Sequence, residues 1–243
     1  MYLSLLHLNP RNRVVRRDLV DCRAMHRTLL RAFPTVPEES TKKARDQFDL
    51  LYRVEPGRRG DAQVLVQSAA LPVWEHLHEW WGDDGYTLQD DAPKPLDAFH
   101  ARIMAGQTLQ YRVRVNPTRK IDTKTRPDGT KSNGQRVPLR TEEERIAWLR
   151  RKGVGESGDG RGGFDLLAVR AVPEVTSVRT VNDQVVGDWE GGDTRSRNLV
   201  FDSVLFEGHL LVTDADRLRE TLRAGIGSGK AFGFGLLSVM PAR

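Results

Sequence analysis

A short segment near the end of the sequence combines dense glycines with one lysine. Glycines at this density let backbone N–H groups turn outward and approach a ligand without an intervening Cβ, and such sites usually bind phosphate. A Walker loop is excluded, because Ala224 and Ala231 stand where that motif needs a glycine and a serine or threonine. The alternative is a tight turn between a helix and a strand, in which glycines serve packing alone. The residues are Gly225, Gly227, Gly229, Gly233 and Gly235, with Lys230 among them.

His26 has the position best suited to acid–base chemistry among the six histidines. It lies at the edge of a predicted helix, between a buried apolar stripe and a ridge of arginines. Beside cations an imidazole stays closer to neutral near pH 7, and can accept a proton. The alternative is an ordinary surface histidine. The stripe is Cys22, Met25, Leu29 and Phe33, and the ridge is Arg23, Arg27 and Arg31.

Composition favours a folded protein that binds a polyanion. The 243 residues are 38% hydrophobic and 29% charged, with a net charge of +5. Residues 1–33 hold seven arginines against two acids, and residues 112–136 hold eight Lys or Arg against two acids, whereas residues 34–111 are acidic. Separated basic segments on a balanced chain suggest nucleic acid.

Other classes of protein are disfavoured by what the sequence lacks. A single cysteine, Cys22, allows no internal disulfide and suggests a cytoplasmic protein. No apolar run approaches the roughly 18 residues of a membrane span, so no membrane association is expected. No cluster of Cys, His, Asp or Glu has ligand spacing, so we expect no metal and no cofactor.

The predicted elements follow the order β-α-β-β-α-β twice. In the first half, a strand at residues 2–9 leads to a helix at 22–33 capped by Asp21, and an alternating strand at 108–115 closes the unit. A strand at 136–140 opens the second half, before a helix with a capping box. The predicted fold class is α+β, with two tandem ferredoxin-like (RRM-like) domains.

This order divides the chain into three parts. Residues 1–116 form an N-terminal ferredoxin-like domain that carries the helix of His26. Residues 117–136 are expected to be a basic flexible loop or linker, because they are rich in polar residues and glycine. Residues 137–243 form a C-terminal ferredoxin-like domain with the glycine-rich segment.

Short motifs are spread along almost the whole chain. They are Met1-Tyr-Leu-Ser4, Met25-His26, Gln67-Ser68, Tyr111-Arg-Val-Arg-Val-Asn-Pro117, Arg136-Val-Pro-Leu139, Ile146-Ala-Trp-Leu-Arg150, Leu205-Phe-Glu-Gly208 and the glycine-rich residues 225–238. No single motif is specific, but in this joint order they resemble the CasE-type proteins, the repeat-cleaving endoribonucleases of type I-E CRISPR systems.

The resemblance implies an activity and a catalytic residue. It implies metal-independent cleavage at the 3′ base of the repeat hairpin, in which the ribose 2′-OH attacks the adjacent phosphate and leaves a 2′,3′-cyclic phosphate and a 5′-OH. His26 matches the family's catalytic histidine. The family carries a tyrosine three residues earlier, where this chain has Arg23, whose guanidinium could stabilise phosphorane charge but cannot donate a proton.

The resemblance also implies partners. The CRISPR repeat hairpin lies across both domains and stays bound as product, other Cascade subunits assemble with the protein, and target DNA is reached only through that complex. A noncatalytic RNA-binding scaffold of the same fold is the main alternative, and a nucleotide-binding enzyme that uses the glycine-rich segment is a third. The expected RNA contacts are Arg27, Arg31, Arg119, Lys120, Gly225, Gly227, Gly229 and Lys230.

Overall fold

A computed structural model describes most of the chain as a mixed α/β protein with antiparallel sheets. It describes residues 1–35, 47–57, 61–79, 85–90, 92–121, 135–155, 161–178 and 199–242. The strands are β1 Tyr2–Leu8, β2 Leu51–Pro56, β3 Ala62–Ser68, β4 Thr87–Asp90, β5 Lys94–Pro95, β6 Thr108–Val115, β7 Thr118–Ile121, β8 Gln135–Pro138, β9 Phe164–Val178, β10 Leu199–Val212 and β11 Ser238–Pro241. The helices are α1 Arg13–Val20, α2 Cys22–Leu30, α3 Glu75–Glu79, α4 Asp97–Ala101, α5 Glu142–Val154 and α6 Ala215–Ala224, with a 3₁₀ turn at Lys230–Phe232.

The first sheet carries the helix of His26. Its strands run antiparallel in the order β2-β3-β1-β4, and β5 also pairs with β1. Leu6 and Leu8 alternate with less buried residues along β1, so one face of the strand is apolar. Met25 and Leu29 of α2 pack into the same core as these leucines, which seats the helix on that face.

The second sheet has the order β11-β6-β10-β9, again antiparallel. Val113 and Val115 of β6 are fully buried with Phe206 of β10. Trp148 of α5 and Leu218 of α6 close the same core. Both helices therefore cover the apolar face of this sheet.

The strand at residues 108–115 has the predicted bounds, but its place differs from the expectation. We expected it to be the last strand of the first unit, whereas β6 pairs with β10 and β11 in the second sheet. The strict alternation of Thr108–Val115 specifies a strand with one buried face, and both cores offer such a face. The apolar partner on β10, where Phe206 lies opposite Val113, determines the choice.

The segment predicted as a basic loop contains paired strands at its ends. Thr118–Ile121 (β7) and Gln135–Pro138 (β8) form a separate two-stranded antiparallel sheet. The predicted strand at 136–140 is therefore one strand of this hairpin and not the first strand of the second unit. Residues 122–134 lie outside the described part of the chain.

Capping residues mark where the first two helices begin. Asp21 accepts a hydrogen bond from the backbone N–H of Arg23 at 2.9 Å, which confirms the predicted start of α2. The helix ends at Leu30, not at Phe33 as expected. The sequence did not predict α1, which Asn12 caps by accepting from the N–H of Val14 at 2.8 Å.

One buried arginine connects the two sheets. The side chain of Arg53 on β2 is only 2% exposed and forms an ion pair with Glu55 at 2.6 Å. Its guanidinium also donates to the carbonyls of Arg112 (3.1 Å) and Leu236 (2.8 Å) and to the hydroxyl of Ser238 (3.0 Å). Strand β2 of the first sheet is thus bonded to β6 and to the end of the second sheet.

Replacing Arg53 should destabilise the whole fold. Arg53→Met breaks the ion pair with Glu55 and removes a donor from the carbonyls of Arg112 and Leu236, and we expect unfolding by urea to show a loss of about 3–5 kcal/mol. Arg170→Ala is the matched control, because Arg170 is 76% exposed and lies 3.8 Å from Glu207. Such exposed pairs contribute about 0–1 kcal/mol. A loss for Arg53→Met no larger than that of the control would contradict the role of this junction.

Candidate active site

The helix of His26 presents its histidine at the edge of the first core. Met25 and Leu29 are fully buried, whereas His26 is half-buried and Arg27 is exposed. The predicted stripe and ridge of α2 therefore lie on opposite sides of His26. This position places the imidazole at the boundary between the protein interior and the surface.

Tyr52 of β2 lies against His26. The two rings are stacked, with centroids 6.2 Å apart and planes inclined by 20°. The Tyr52 hydroxyl donates to the carbonyl of Cys22 at 2.7 Å and lies 3.2 Å from the carbonyl of Ala231. One side chain thus contacts the helix of His26 and the glycine-rich segment together.

The glycine-rich segment is a tightly closed turn. The N–H of Ile226 donates to the carbonyl of Gly235 at 2.9 Å, and the N–H of Gly235 donates to the carbonyl of Arg114 at 2.8 Å. Gly235 has φ +90°, and a Cβ there would lie 2.7 Å from the carbonyl oxygen of Ile226. The packing alternative therefore explains this glycine.

The turn at Lys230–Phe232 lies against α2. The guanidinium carbon of Arg23 lies 5.6 Å from the centre of the Phe232 ring, a cation–π contact. Phe232 also packs on Phe201 of β10, with centroids 5.0 Å apart. The structure thus brings Arg23, His26 and the turn of Lys230 together, although Lys230 is distant from them in sequence.

The other end of the glycine-rich segment borders a basic cleft of about 300 Å³. Residues 225–228 form one side, and the side chains of Arg136, Lys152 and Arg161 contribute three positive charges. No acidic side chain is among the described residues that line this cleft. It is suited to a polyanion that continues past the turn of Lys230.

Comparison with known proteins gives the family. A family model described as "CRISPR associated protein" matches residues 1–241. The chain belongs to this family. It is 38% identical to the CRISPR-associated endoribonuclease Cse3 of Thermus thermophilus, over 99% of this chain and 100% of that protein. It is 31% identical to the Cascade subunit CasE of Escherichia coli, with the same coverage.

A solved structure gives the same relationship. Thermus thermophilus Cse3, bound to an RNA representing a pre-cleavage complex, has 37% sequence identity to this chain and a TM-score of 0.73. The alignment covers 99% of this chain and 98% of that one. The resemblance to CasE-type proteins, predicted from the motifs, is confirmed.

The remaining predicted RNA contacts of this CRISPR-associated protein occupy different surfaces. Arg27 and Arg31 are exposed on and just after α2, whereas Arg119 and Lys120 are exposed on β7. Arg119 lies 3.5 Å from Glu144. These four cations remain predictions as RNA contacts.

The three predicted glycine contacts differ in accessibility. Gly225 is buried, and its N–H donates to the carbonyl of Thr221 at 2.8 Å. Gly227 and Gly229 are half-buried, as is Lys230. Of the glycines, Gly227 and Gly229 are the ones whose backbone can reach a ligand.

Two arginines of the basic segment 112–136 are paired with carboxylates of the protein itself. Arg112 forms ion pairs with Glu55 and Glu207, and Arg114 forms one with Glu174 at 2.7 Å. Their alternation along β6 resembled a cationic face, but each cation lies beside a carboxylate. The local positive charge around this strand is therefore much smaller than its sequence suggests.

Sequence reasoning also missed Tyr52 and two cations of the cleft. Lys152 ends the run Arg150-Arg151-Lys152, whose charge is nearly balanced by the three glutamates at 142–144 of the same helix, and Tyr52 lies in an ordinary strand. The contacts of Tyr52 join residues separated by 30 and 179 positions. No local pattern carries that information.

The surroundings of His26 also bear on thiol and metal chemistry. Burial raises the pKa of the Cys22 thiol to about 12, so this neighbour of His26 stays protonated near neutral pH. Within the described part of the chain, no group of three or more His, Cys, Asp or Glu could hold a metal ion.

None of the helices described is long and apolar enough to span a membrane.

Because the turn is closely packed, we expect a methyl group at Gly235 to lower the free energy of unfolding strongly. Gly106→Ala is the matched control, because Gly106 has φ +85° and open space around its Cα. The left-handed backbone alone costs about 1–2 kcal/mol, so the control should lose about that much stability in urea unfolding. Gly235→Ala should lose at least about 2 kcal/mol more, because backbone atoms must move. Equal losses in the two variants would show that close packing of the turn is unimportant.

Proposed function

We propose that this protein is an endoribonuclease that cleaves the repeat hairpins of precursor CRISPR RNA and remains bound to the 3′ hairpin as a subunit of a Cascade-type complex. The observation that carries the proposal is His26, half-buried at the contact between α2 and the glycine-rich turn, in a chain that matches an endoribonuclease over nearly its full length. The Thermus thermophilus relative was solved with RNA before cleavage, and the Escherichia coli relative is a Cascade subunit.

The chemistry requires a group that exchanges protons near neutral pH. In the proposed reaction the 2′-oxygen of a ribose attacks its own 3′ phosphate, the bond from phosphorus to the 5′-oxygen breaks, and a cyclic phosphate and a 5′-OH result. His26 would either take the proton from the 2′-OH or give one to the leaving 5′-oxygen, since imidazole titrates in this range. The reaction as written needs no metal ion.

Positive charge would stabilise the extra negative charge of the pentacoordinate phosphorus. Arg23 and Lys230 are candidates, because Arg23 is on α2 and contacts the turn that contains Lys230. A guanidinium at this position can bind phosphate without giving up a proton. We assign both residues to phosphate binding, together with the backbone of Gly227 and Gly229.

We also propose that the chain consists of two ferredoxin-like units. Numbered within each unit, the strand order is 4-1-3-2 in both sheets, with helices after the first and third strands. The boundary that fits this order lies before Thr108, so the hairpin of β7 and β8 is an insertion in the second unit. An RNA substrate and a single cysteine support a cytoplasmic location.

His26→Ala tests the catalytic assignment. Loss of acid–base assistance should slow single-turnover cleavage of a labelled repeat in EDTA by about 10²–10⁴-fold. Hairpin affinity should change by less than about 1 kcal/mol, because cations and backbone amides carry the phosphate contacts. His76→Ala, which removes an exposed histidine from α3, should cleave like the parent.

A folded His26→Ala protein that cleaves within about threefold of the parent would refute the role of His26 as the proton-transfer group, for which the typical loss is far larger. Binding without any cleavage by the parent protein would instead favour the noncatalytic scaffold.

A further inference from the structure

The ring of Tyr52 stacks on the imidazole of His26 from the core side. This ring is 1% exposed and lies nearly parallel to the imidazole, at a centroid distance of 6.2 Å. A strand residue in a packed core has little freedom to move, because its backbone is fixed by β3 on one side. The ring is thus a rigid surface that limits how far the imidazole can tilt toward the core.

The hydroxyl of Tyr52 holds the backbone of the same helical turn. It donates to the carbonyl of Cys22 at 2.7 Å. In an α-helix the carbonyl of residue 22 accepts the N–H of residue 26, so this carbonyl is also the backbone partner of His26. Tyr52 therefore contacts both the ring of His26 and the peptide group to which its backbone is bonded.

The same hydroxyl connects α2 to the glycine-rich turn. The carbonyl of Ala231 lies 3.2 Å from it, and Gly233 approaches the ring so closely that a Cβ would lie 3.0 Å from Cε2. Burial raises the pKa of Tyr52 well above its usual range, so the hydroxyl keeps its proton for these carbonyls. Its single proton is shared between an acceptor on α2 and an acceptor on the turn.

We propose that Tyr52 is a positioning residue for RNA cleavage, which fixes His26 relative to the turn of Lys230 through its ring stack and its two carbonyl contacts. The inference rests on the proposed function, because it assigns Tyr52 an effect that passes through His26. Tyr52 does not itself exchange protons with the RNA, since its hydroxyl is directed at backbone carbonyls. Misplacing a catalytic group by about 1 Å can cost about 10²-fold in rate, so this fixation matters for the chemical step.

Tyr52→Phe separates positioning from simple packing. The variant keeps the ring and loses both carbonyl contacts, and single-turnover cleavage at saturating protein should fall roughly 10- to 100-fold. The Kd of the hairpin should stay within about twofold, because Tyr52 is buried and the phosphate contacts lie elsewhere.

Tyr86→Phe is the matched control. Tyr86 is a fully buried tyrosine of the same core, and its hydroxyl donates to Asp18 at 3.0 Å. This change should destabilise the protein about as much as Tyr52→Phe, since each variant removes one buried hydroxyl that donates a hydrogen bond, and Asp18 keeps its ion pair with Arg17. The control should nevertheless cleave at the parental rate.

A double-mutant cycle with His26→Ala tests whether Tyr52 acts through the histidine. Adding Tyr52→Phe to His26→Ala should leave the residual cleavage rate unchanged, because there is no imidazole left to position. An equal fractional loss in both backgrounds would overturn the proposal, as would parental cleavage by Tyr52→Phe or an equal loss in Tyr86→Phe. If His26→Ala alone cleaves like the parent, both the catalytic assignment and this proposal fail, whereas failure of Tyr52→Phe alone leaves His26 as the catalytic residue.

Discussion

Two consecutive residues of β2 fasten the C-terminal segment to the first half of the molecule. Tyr52 bonds to α2 and approaches the carbonyl of Ala231, and Arg53 donates to the carbonyl of Leu236. Neighbouring strand residues point to opposite faces, so the strand reaches the helix of His26 on one side and the second sheet on the other. The proposed active site depends on this arrangement, because His26 and Lys230 belong to different halves.

The closed glycine-rich turn also holds the C-terminal segment against the first half of the molecule. Only a residue without a Cβ allows the backbone at Gly235 to pass so close to Ile226, and this passage places Lys230–Phe232 against α2. The glycines thus have two uses along one segment. The buried ones shape the turn, and Gly227 and Gly229 are half-buried, which fits their proposed role as N–H donors to phosphate.

Local features of the sequence predicted the pieces of the site but not their assembly. The Asp21 cap and the stripe of Met25 and Leu29 placed His26 correctly at a helix edge, because helix signals lie within a few residues of one another. The alternation of Thr108–Val115 predicted a strand but not its sheet, since pairing with β10 joins residues about 90 positions apart. Ion pairs such as Arg114 with Glu174 also join distant positions, so charge along the sequence overstated the basic surface.

The most direct test of the central claim uses the parent protein and an altered RNA. A repeat with a single 2′-deoxyribose at the nucleotide that precedes the scissile phosphate lacks the attacking hydroxyl. We expect this RNA to bind like the unmodified repeat but not to be cleaved in EDTA, while the unmodified repeat yields a 2′,3′-cyclic phosphate and a 5′-OH. Cleavage of the deoxy-substituted repeat at the same phosphate, or products with a 5′-phosphate, would contradict this claim.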